Sequence, residues 1–512
     1  RDAPARQGGE TSGATGRSLR ADLCSRQRAR AGRRDRRPAA WIQRVRLREA
    51  LQAALAAHDI FVVPLDVARL AVQADGAGKD EPAALVLAVL SRRDPVLFAQ
   101  AFRKIVTSGM KLRRFVGCIR AGTSGRRSLG ARPKALVRDW LEQATESELL
   151  VASVGHDPSL ADIIRMVHPK PQTGARAALY GWLVHPKAQH PALPPLVRDY
   201  LAFRARPIGD PPAVPFDLLV SLKLTPAQWA TVARRLPLDA LLRNLNPLVR
   251  RKAFDDPETL AQFIDRLDDP ARIEAAGVGP FRLLCQLRAL HPDTPPPLRA
   301  AVETALHRAV GRVPPFAGAV VVCPNVSGVM TRRATALPRG AATALRCHDV
   351  AALMVLALTQ GNRAARVWPY AEGPKAVPPH TAGGVLDLSR RLAAVQGRSS
   401  HMAAALDGLM AERKPIDLVV IVTANAEWGN LDPVPPMTPA WRRIKAHNPK
   451  AKLVCLHIRP DIPGRVPVSL PDAADILHLS GMSDTTLPRI RDFIEGRQGI
   501  DYALAKAEGD TP

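Results

Sequence analysis

The stretch "AVVVCPNVSGVM", Ala319–Met330, runs apolar β-favouring residues into a turn-forming Pro-Asn and then a small polar loop. It is the point at which the rhythm of the chain changes. From about Arg46 to Val313 apolar residues recur at i, i+3, i+4 and i+7, as in "LREALQAALAAH", "EPAALVLAVLSR", "PVLFAQAFRKIV", "KALVRDWLEQAT", "LADIIRMVH" and "PLVRDYLAFRAR". Short amphipathic helices joined by Pro- and Gly-containing turns bury their faces only against neighbours. The expectation is an all-α array of stacked helix pairs without a clean repeat period. After Phe316, buried strands alternate with helices: "AVVVC" (319–323), "HDVAALMVLALTQ" (348–360), "RVWPY" (366–370), "MAAALDGLMAER" (402–413), "DLVVIVT" (417–423), "PAWRRIKAHN" (439–448), "KLVCLHI" (452–458), "ADILHLS" (474–480) and "TTLPRIRDFIEG" (485–496). That alternation predicts a mostly parallel, doubly wound sheet with helices on both faces. Its sites should lie at the carboxyl ends of the strands, where Cys323-Pro-Asn-Val-Ser stands.

Composition narrows the function. The 512 residues carry 73 Lys and Arg against 47 Asp and Glu, a formal net charge of +26 that points to a polyanionic partner. An Arg-rich, GC-biased codon usage would raise the same total, so the distribution must decide. Residues 1–45 are expected to be a disordered Arg-rich tail, with a helical domain over 46–315 and an α/β domain over 316–512. No window has the roughly 18 to 20 apolar residues of a membrane helix, so a cytoplasmic monomer without a membrane partner is expected. The six cysteines are scattered, with no zinc spacing, and read as buried hydrophobes. G-x-S-x-G, P-loop, H-E-x-x-H and G-x-G-x-x-G motifs are all missing, so an enzyme is not expected.

Two basic clusters stand out. From Arg103 to Arg138 there are 11 basic residues and no acid, and codon bias does not remove acids locally. Lys111, Arg113, Arg114, Arg120, Arg126, Arg127, Arg132 and Lys134 are the candidate phosphate contacts there. A Gly-Thr-Ser-Gly loop presents Arg126, Arg127 and backbone N–H donors. In "DIIRMVHPKPQTGARAALYGWLVHPK", Arg165 and His168 share a helix face and Lys170 and Arg176 flank the next loop. Tyr180 and Trp182 are either stacking platforms for single-stranded RNA or ordinary core.

The blocks "LRRFVGCIRAGTSGRRSLGARPKALVRDWL" (112–141), "ASVGHDPSLADIIRMVHPKP" (152–171), "ALYGWLV" (178–184), "RNLNPLVR" (243–250), "VVCPNVSGVM" (321–330) and "GAATALRCHDVAAL" (340–353) resemble, in order, the bacterial Ro autoantigen family. That family pairs a TROVE module with a von Willebrand factor A-like domain. The resemblance implies a ring of HEAT-like helical repeats closed by the A-type domain. It implies a central hole taking single-stranded 3′ ends of misfolded RNA, a basic outer face for small non-coding Y-like RNA, and a role in RNA quality control. An exoribonuclease such as polynucleotide phosphorylase is the implied protein partner. By the same resemblance, Arg165, His168 and Lys170 belong to the hole, and the 113–138 stretch belongs to the outer face.

A-type domains usually carry a Mg²⁺ site written D-x-S-x-S, with a Thr from a second loop and an Asp after a later strand. In this chain the first motif reads Asn325-Val326-Ser327-Gly328-Val329, "QGRSSHMAAAL" (396–406) offers Ser400, and "IVTANAEW" (421–428) puts Ala424 at the Asp position. Asn325, Ser327 and Ser400 form a degenerate site in which Val329 and Ala424 replace expected ligands. Without a carboxylate to offset dehydration of Mg²⁺, the site is predicted to be empty or weak.

Overall fold

The computed structural model describes residues 80–497, except 94, 123–124, 126, 156–157, 188–189, 335–344, 376–382, 396, 399, 425–436 and 460–474. The expected tail over 1–45, the "LREALQAALAAH" helix and Arg126 lie outside the described residues.

The helical stretch comprises α1 (Asp80–Arg93), α2 (Pro95–Ile105), α3 (Gly109–Arg120), α4 (Ala131–Gln143), α5 (Glu146–Ser153), α6 (Leu160–Val167), α7 (Gly174–Val184) and α8 (Pro195–Ala205). It continues through α9 (Phe216–Leu219), α10 (Pro226–Arg235), α11 (Leu238–Arg243), α12 (Leu245–Arg250), α13 (Pro257–Asp268), α14 (Pro270–Ala275), α15 (Pro280–Ala289) and α16 (Pro296–Gly311). Local sequence sets their starts. Reciprocal capping boxes open α5 (Thr145 with Glu148), α6 (Ser159 with Asp162) and α10 (Thr225 with Gln228). Proline in the first turn starts α8, α10, α13, α14, α15 and α16, where its missing N–H is no loss. The apolar stripes meet in one core: Phe98, Phe102 and Phe115 pack ring on ring, and Phe254 stacks on Phe263.

The α/β stretch follows as β1 (Val320–Pro324), α17 (Cys347–Thr359), β2 (Arg366–Val367), α18 (Val385–Ala394), α19 (Met402–Glu412), β3 (Leu418–Thr423), α20 (Met437–His447), β4 (Lys452–His457), β5 (Ile476–Ser480) and α21 (Thr486–Ile494). Strand order is β2-β1-β3-β4-β5 and every pairing is parallel. Burial alternates face by face: Val320, Val322, Val420 and Val454 join the larger core, while Val321, Cys323, Ile421 and Cys455 join a second core under α19 and α20. Two expectations change. "RVWPY" pairs as a strand only at Arg366–Val367, with Tyr370 held by an isolated bridge to Asn325. Helix α18 is an addition to the elements expected from sequence; Val385, Leu388 and Leu392 recur at helical spacing and are buried on its inner face.

The two stretches are joined through α15. Its N-terminus is capped by a residue more than 200 positions away in sequence: Asp484, on the approach to α21, accepts from the backbone N–H groups of Gly279 (3.2 Å), Phe281 (2.8 Å) and Arg282 (3.3 Å). A Cβ on Gly279 would lie 2.4 Å from the Asp484 carboxyl carbon, so only glycine fits there. Burial raises the Asp484 carboxyl above its ordinary range, against the pull of these three donors. Near the other end of α15, Arg288 donates through Nε (2.9 Å) and a terminal nitrogen to Oδ1 of Asp349 in α17. Asp349, with a side chain 1 % exposed, also accepts from Ser389 Oγ (2.6 Å) and Arg346 N (2.8 Å).

Two predictions follow from this packing. Arg288→Met leaves a buried carboxylate without its cation, and should cost about 3 kcal/mol in chemical denaturation of the full chain. Separately, burial holds the imidazoles of His348 and His457 down at about 4, against an ordinary 6.5. The unfolded chain therefore binds more protons than the folded one between those values. Stability should be full above pH 6.5 and fall as pH drops toward 4, and His348→Gln should flatten that fall in a Tm-against-pH series.

Candidate nucleic-acid interface

Every α-helix leaves its last carbonyls without internal partners, and sixteen helices between Asp80 and Gly311 multiply the demand. Arginine supplies much of the answer. Arg138 of α4 donates through Nε to the carbonyl of Val167, which closes α6. Arg165 of α6 donates to Val184 O, which closes α7 (2.8 Å), and Arg176 of α7 donates to Ala144 O (2.8 Å) and Glu142 O (3.3 Å) at the end of α4. The three helices thus cap one another in a cycle. Arg113 of α3 donates to Val154 O and to Pro158 O (2.8 Å), bracketing the α5–α6 connection. Its guanidinium lies 2.7 Å from where a Cβ on Gly155 would stand, and Gly155 has φ +106°. The pattern recurs further on: Arg266 on Leu236 O (2.7 Å) and Arg308 on Asp268 O (2.8 Å).

These bonds separate the sequence candidates into two groups. Arg113, Arg165 and Arg176 are committed to carbonyls, although Arg165 is exposed and also lies 3.6 Å from Asp162. The side chains of Arg127, Arg132, Lys134, His168 and Lys170 make no hydrogen bond or ion pair with the described residues, and all but half-buried Lys134 are exposed. Arg120 is exposed and within electrostatic reach of Asp162, while Lys111 and Arg114 are half-buried. Arg103 and Lys104 at the end of α2, which sequence reasoning counted but did not select, are exposed in the same way.

Helix α4 gives the free group its geometry. It starts after Gly130 (φ 74°) with no side-chain cap and with Arg132 and Lys134 in its first turns, so the positive end of the helix dipole and two cations coincide. Lys134 and Arg138 are i and i+4 on one face, and Arg138 touches Val167, the residue before His168. His168 is not on the helix face of Arg165 as expected. It is the left-handed C-cap of α6 (φ 49°), which turns the chain toward Lys170. The stacking role for Tyr180 and Trp182 is also corrected. Tyr180 is 5 % exposed with its hydroxyl donated to Leu141 O (2.9 Å), and Trp182 is buried beside it, so neither ring offers a face to a base.

The strand-end site is buried and neutral. Asn325 Oδ1 accepts from Ser327 N (2.8 Å), while its amide nitrogen donates to Ser400 Oγ (2.6 Å) and Thr423 Oγ1 (3.2 Å). The Asn325 carbonyl expected as a residual ligand is therefore already engaged. Val329 sits in a short 3₁₀ turn (Gly328–Thr331) and Ala424 is fully buried, so neither position supplies an oxygen side chain. A donor amide facing two hydroxyls does not fit a hard divalent cation. Among the described residues no three His, Cys, Asp or Glu side chains are grouped to hold a metal, and no helix is long and apolar enough to cross a membrane.

Arg176→Ala, which removes two carbonyl caps at once, should lower stability by about 2 kcal/mol. Arg132→Ala should change it by less than about 0.5 kcal/mol. Urea denaturation of the two variants checks the division into structural and free cations.

No protein-family model and no curated protein matches the chain. Among solved structures, the crystal structure of the Deinococcus radiodurans RO (RSR) protein matches with a TM-score of 0.62 and 21 % identity, over 90 % of this chain and 93 % of that one. That likeness shows the fold: this chain shares with it the helical array followed by a parallel α/β sheet.

Proposed function

We propose that the chain is a Ro-type RNA-binding protein, non-enzymatic, in which a TROVE-like helical domain over 46–315 takes RNA and an A-type domain over 316–512 braces it. The observation that carries this reading is the set of cations left over once the helix ends are capped. Arg103, Lys104, Arg127, Arg132 and Lys134 belong to a run without acids, and His168 and Lys170 follow α6 where it meets the Lys134 face of α4. A flexible polyphosphate suits such a strip, because each guanidinium or ammonium releases a condensed counterion when it meets a phosphate. The likeness in fold to the Ro protein supports the same reading.

In finer terms, single-stranded 3′ ends of misfolded RNA engage the Lys170 side and small Y-like RNA the Arg127–Lys134 side. An exoribonuclease is recruited through the bound RNA, and the protein works as a cytoplasmic monomer. Arg165, Arg176 and Arg113 contribute chiefly by holding helices in register. A second reading, a protein-interaction scaffold with generic charge, draws on those same arginines, since their charge is explained without RNA.

The test is binding of a fluorescent structured RNA, with and without a single-stranded 3′ tail, at about 50 and 200 mM salt. Arg127→Glu/Arg132→Glu/Lys134→Glu should weaken binding at least tenfold and reduce the salt slope by about 2 to 3. Lys170→Glu should remove the preference for the tailed RNA. Lys223→Glu, at an exposed lysine outside both basic runs of the sequence, is the control. Equal binding by all four proteins would favour the scaffold.

A further inference from the structure

The buried polar cluster at the strand ends joins three separate segments. Asn325 follows β1, Thr423 ends β3, and Ser400 precedes α19; their exposures are 0 %, 0 % and 1 %. Oxygen atoms that converge in a dry site need something electropositive between them, a cation or N–H or O–H donors. Here the donors come from one carboxamide. Ser327 N–H fixes which end of the amide is oxygen, so both amide hydrogens must point the other way, toward Ser400 and Thr423.

One further polar atom on the same loop is left unserved. Ser327 Oγ is buried and makes no hydrogen bond among the described residues. A metal ion can accept three or more oxygens at once, whereas an NH₂ group has two hydrogens. With Ser400 and Thr423 served, none remains for Ser327.

We propose that the Asn325 carboxamide stands in the place of a divalent cation, fastening the three strand-end segments into one fixed arrangement that needs no metal and does not respond to one. This inference is independent of RNA binding. Its consequence is that any partner docking at this end of the sheet meets the same surface with or without Mg²⁺.

The backbone holds the segments nearby even without the amide: Asn325 N donates to Val422 O (2.9 Å), Val326 N to Tyr370 O (2.8 Å) and Gly328 N to Gly397 O (2.9 Å). Variants at Asn325 should therefore fold. Asn325→Asp removes the two N–H donors and buries a negative charge among hydroxyls, which a cation can offset.

The experiment is thermal unfolding of the full chain, wild type and variants, in EDTA and in millimolar Mg²⁺ or Mn²⁺, with Mn²⁺ binding followed by calorimetry. The wild type should have the same Tm in both and bind no Mn²⁺ at this site. Asn325→Asp should melt roughly 5–10 °C lower in EDTA and recover at least half of that loss with metal. Asn325→Ala should melt lower and ignore metal. Ser400→Ala/Thr423→Val, which keeps the amide and removes its acceptors, should also melt lower and ignore metal; this covers the case in which Asn325→Asp fails to fold. A wild-type Tm that rises with Mg²⁺ would overturn the proposal. So would an Asn325→Asp protein that melts low and stays low in metal, or an acceptor variant as stable as wild type.

Discussion

An array of short helices is limited by its ends more than by its core. Each helix of four to sixteen residues leaves its last carbonyls unpaired, a large share of the total in the shorter ones, and where helices pack these carbonyls face protein rather than water. The Arg138–Arg165–Arg176 cycle meets this constraint with one residue type: each guanidinium crosses to the next helix and donates to its terminal carbonyls. The fork geometry of arginine lets Arg113 bracket a connection through Nε and a terminal nitrogen, which a lysine point charge would do less well, while Arg176 reaches two carbonyls from a single terminal nitrogen. The positive end of the side chain also meets the negative end of the helix dipole.

This changes the meaning of the charge. A net +26 suggests a polyanion partner, yet part of the surplus is internal scaffolding between helices. What remains includes the exposed cations around the start of α4 and after α6, where the sequence run from Arg103 to Arg138 holds no acid. A ligand contacting them meets side chains held at fixed spacing, because the helices beneath are cross-tied by the committed arginines.

The same economy of polar contacts joins the two halves of the chain. Helix α15 belongs to the array by sequence, but its first N–H groups are capped by Asp484 and its Arg288 is paired with Asp349, both from the α/β stretch. The sheet is thereby fixed against the last helices of the array. At its carboxyl edge, an amide and two hydroxyls hold the loops in neutral form.

Much of the fold was legible in sequence. Apolar periodicity of 3.6 before Val313 and short buried runs after Phe316 specify helices and parallel strands, since each pattern hides its apolar face in only one way. Capping boxes and first-turn prolines mark helix starts because their partners are three residues away. That Asn325 and Ala424 offer no carboxylate at the strand ends was legible too, as it depends only on residue identity. The fate of each arginine was not. Arg113 and Arg127 look alike in a basic run, and only packing brings Val154 and Pro158 to one and leaves the other in solvent. Tyr180 and Trp182 were equally ambiguous until the array closed over them. Local spacing determines which elements form; which cations remain free for a ligand depends on carbonyls up to 45 residues away, and only the tertiary structure brings those within hydrogen-bond reach.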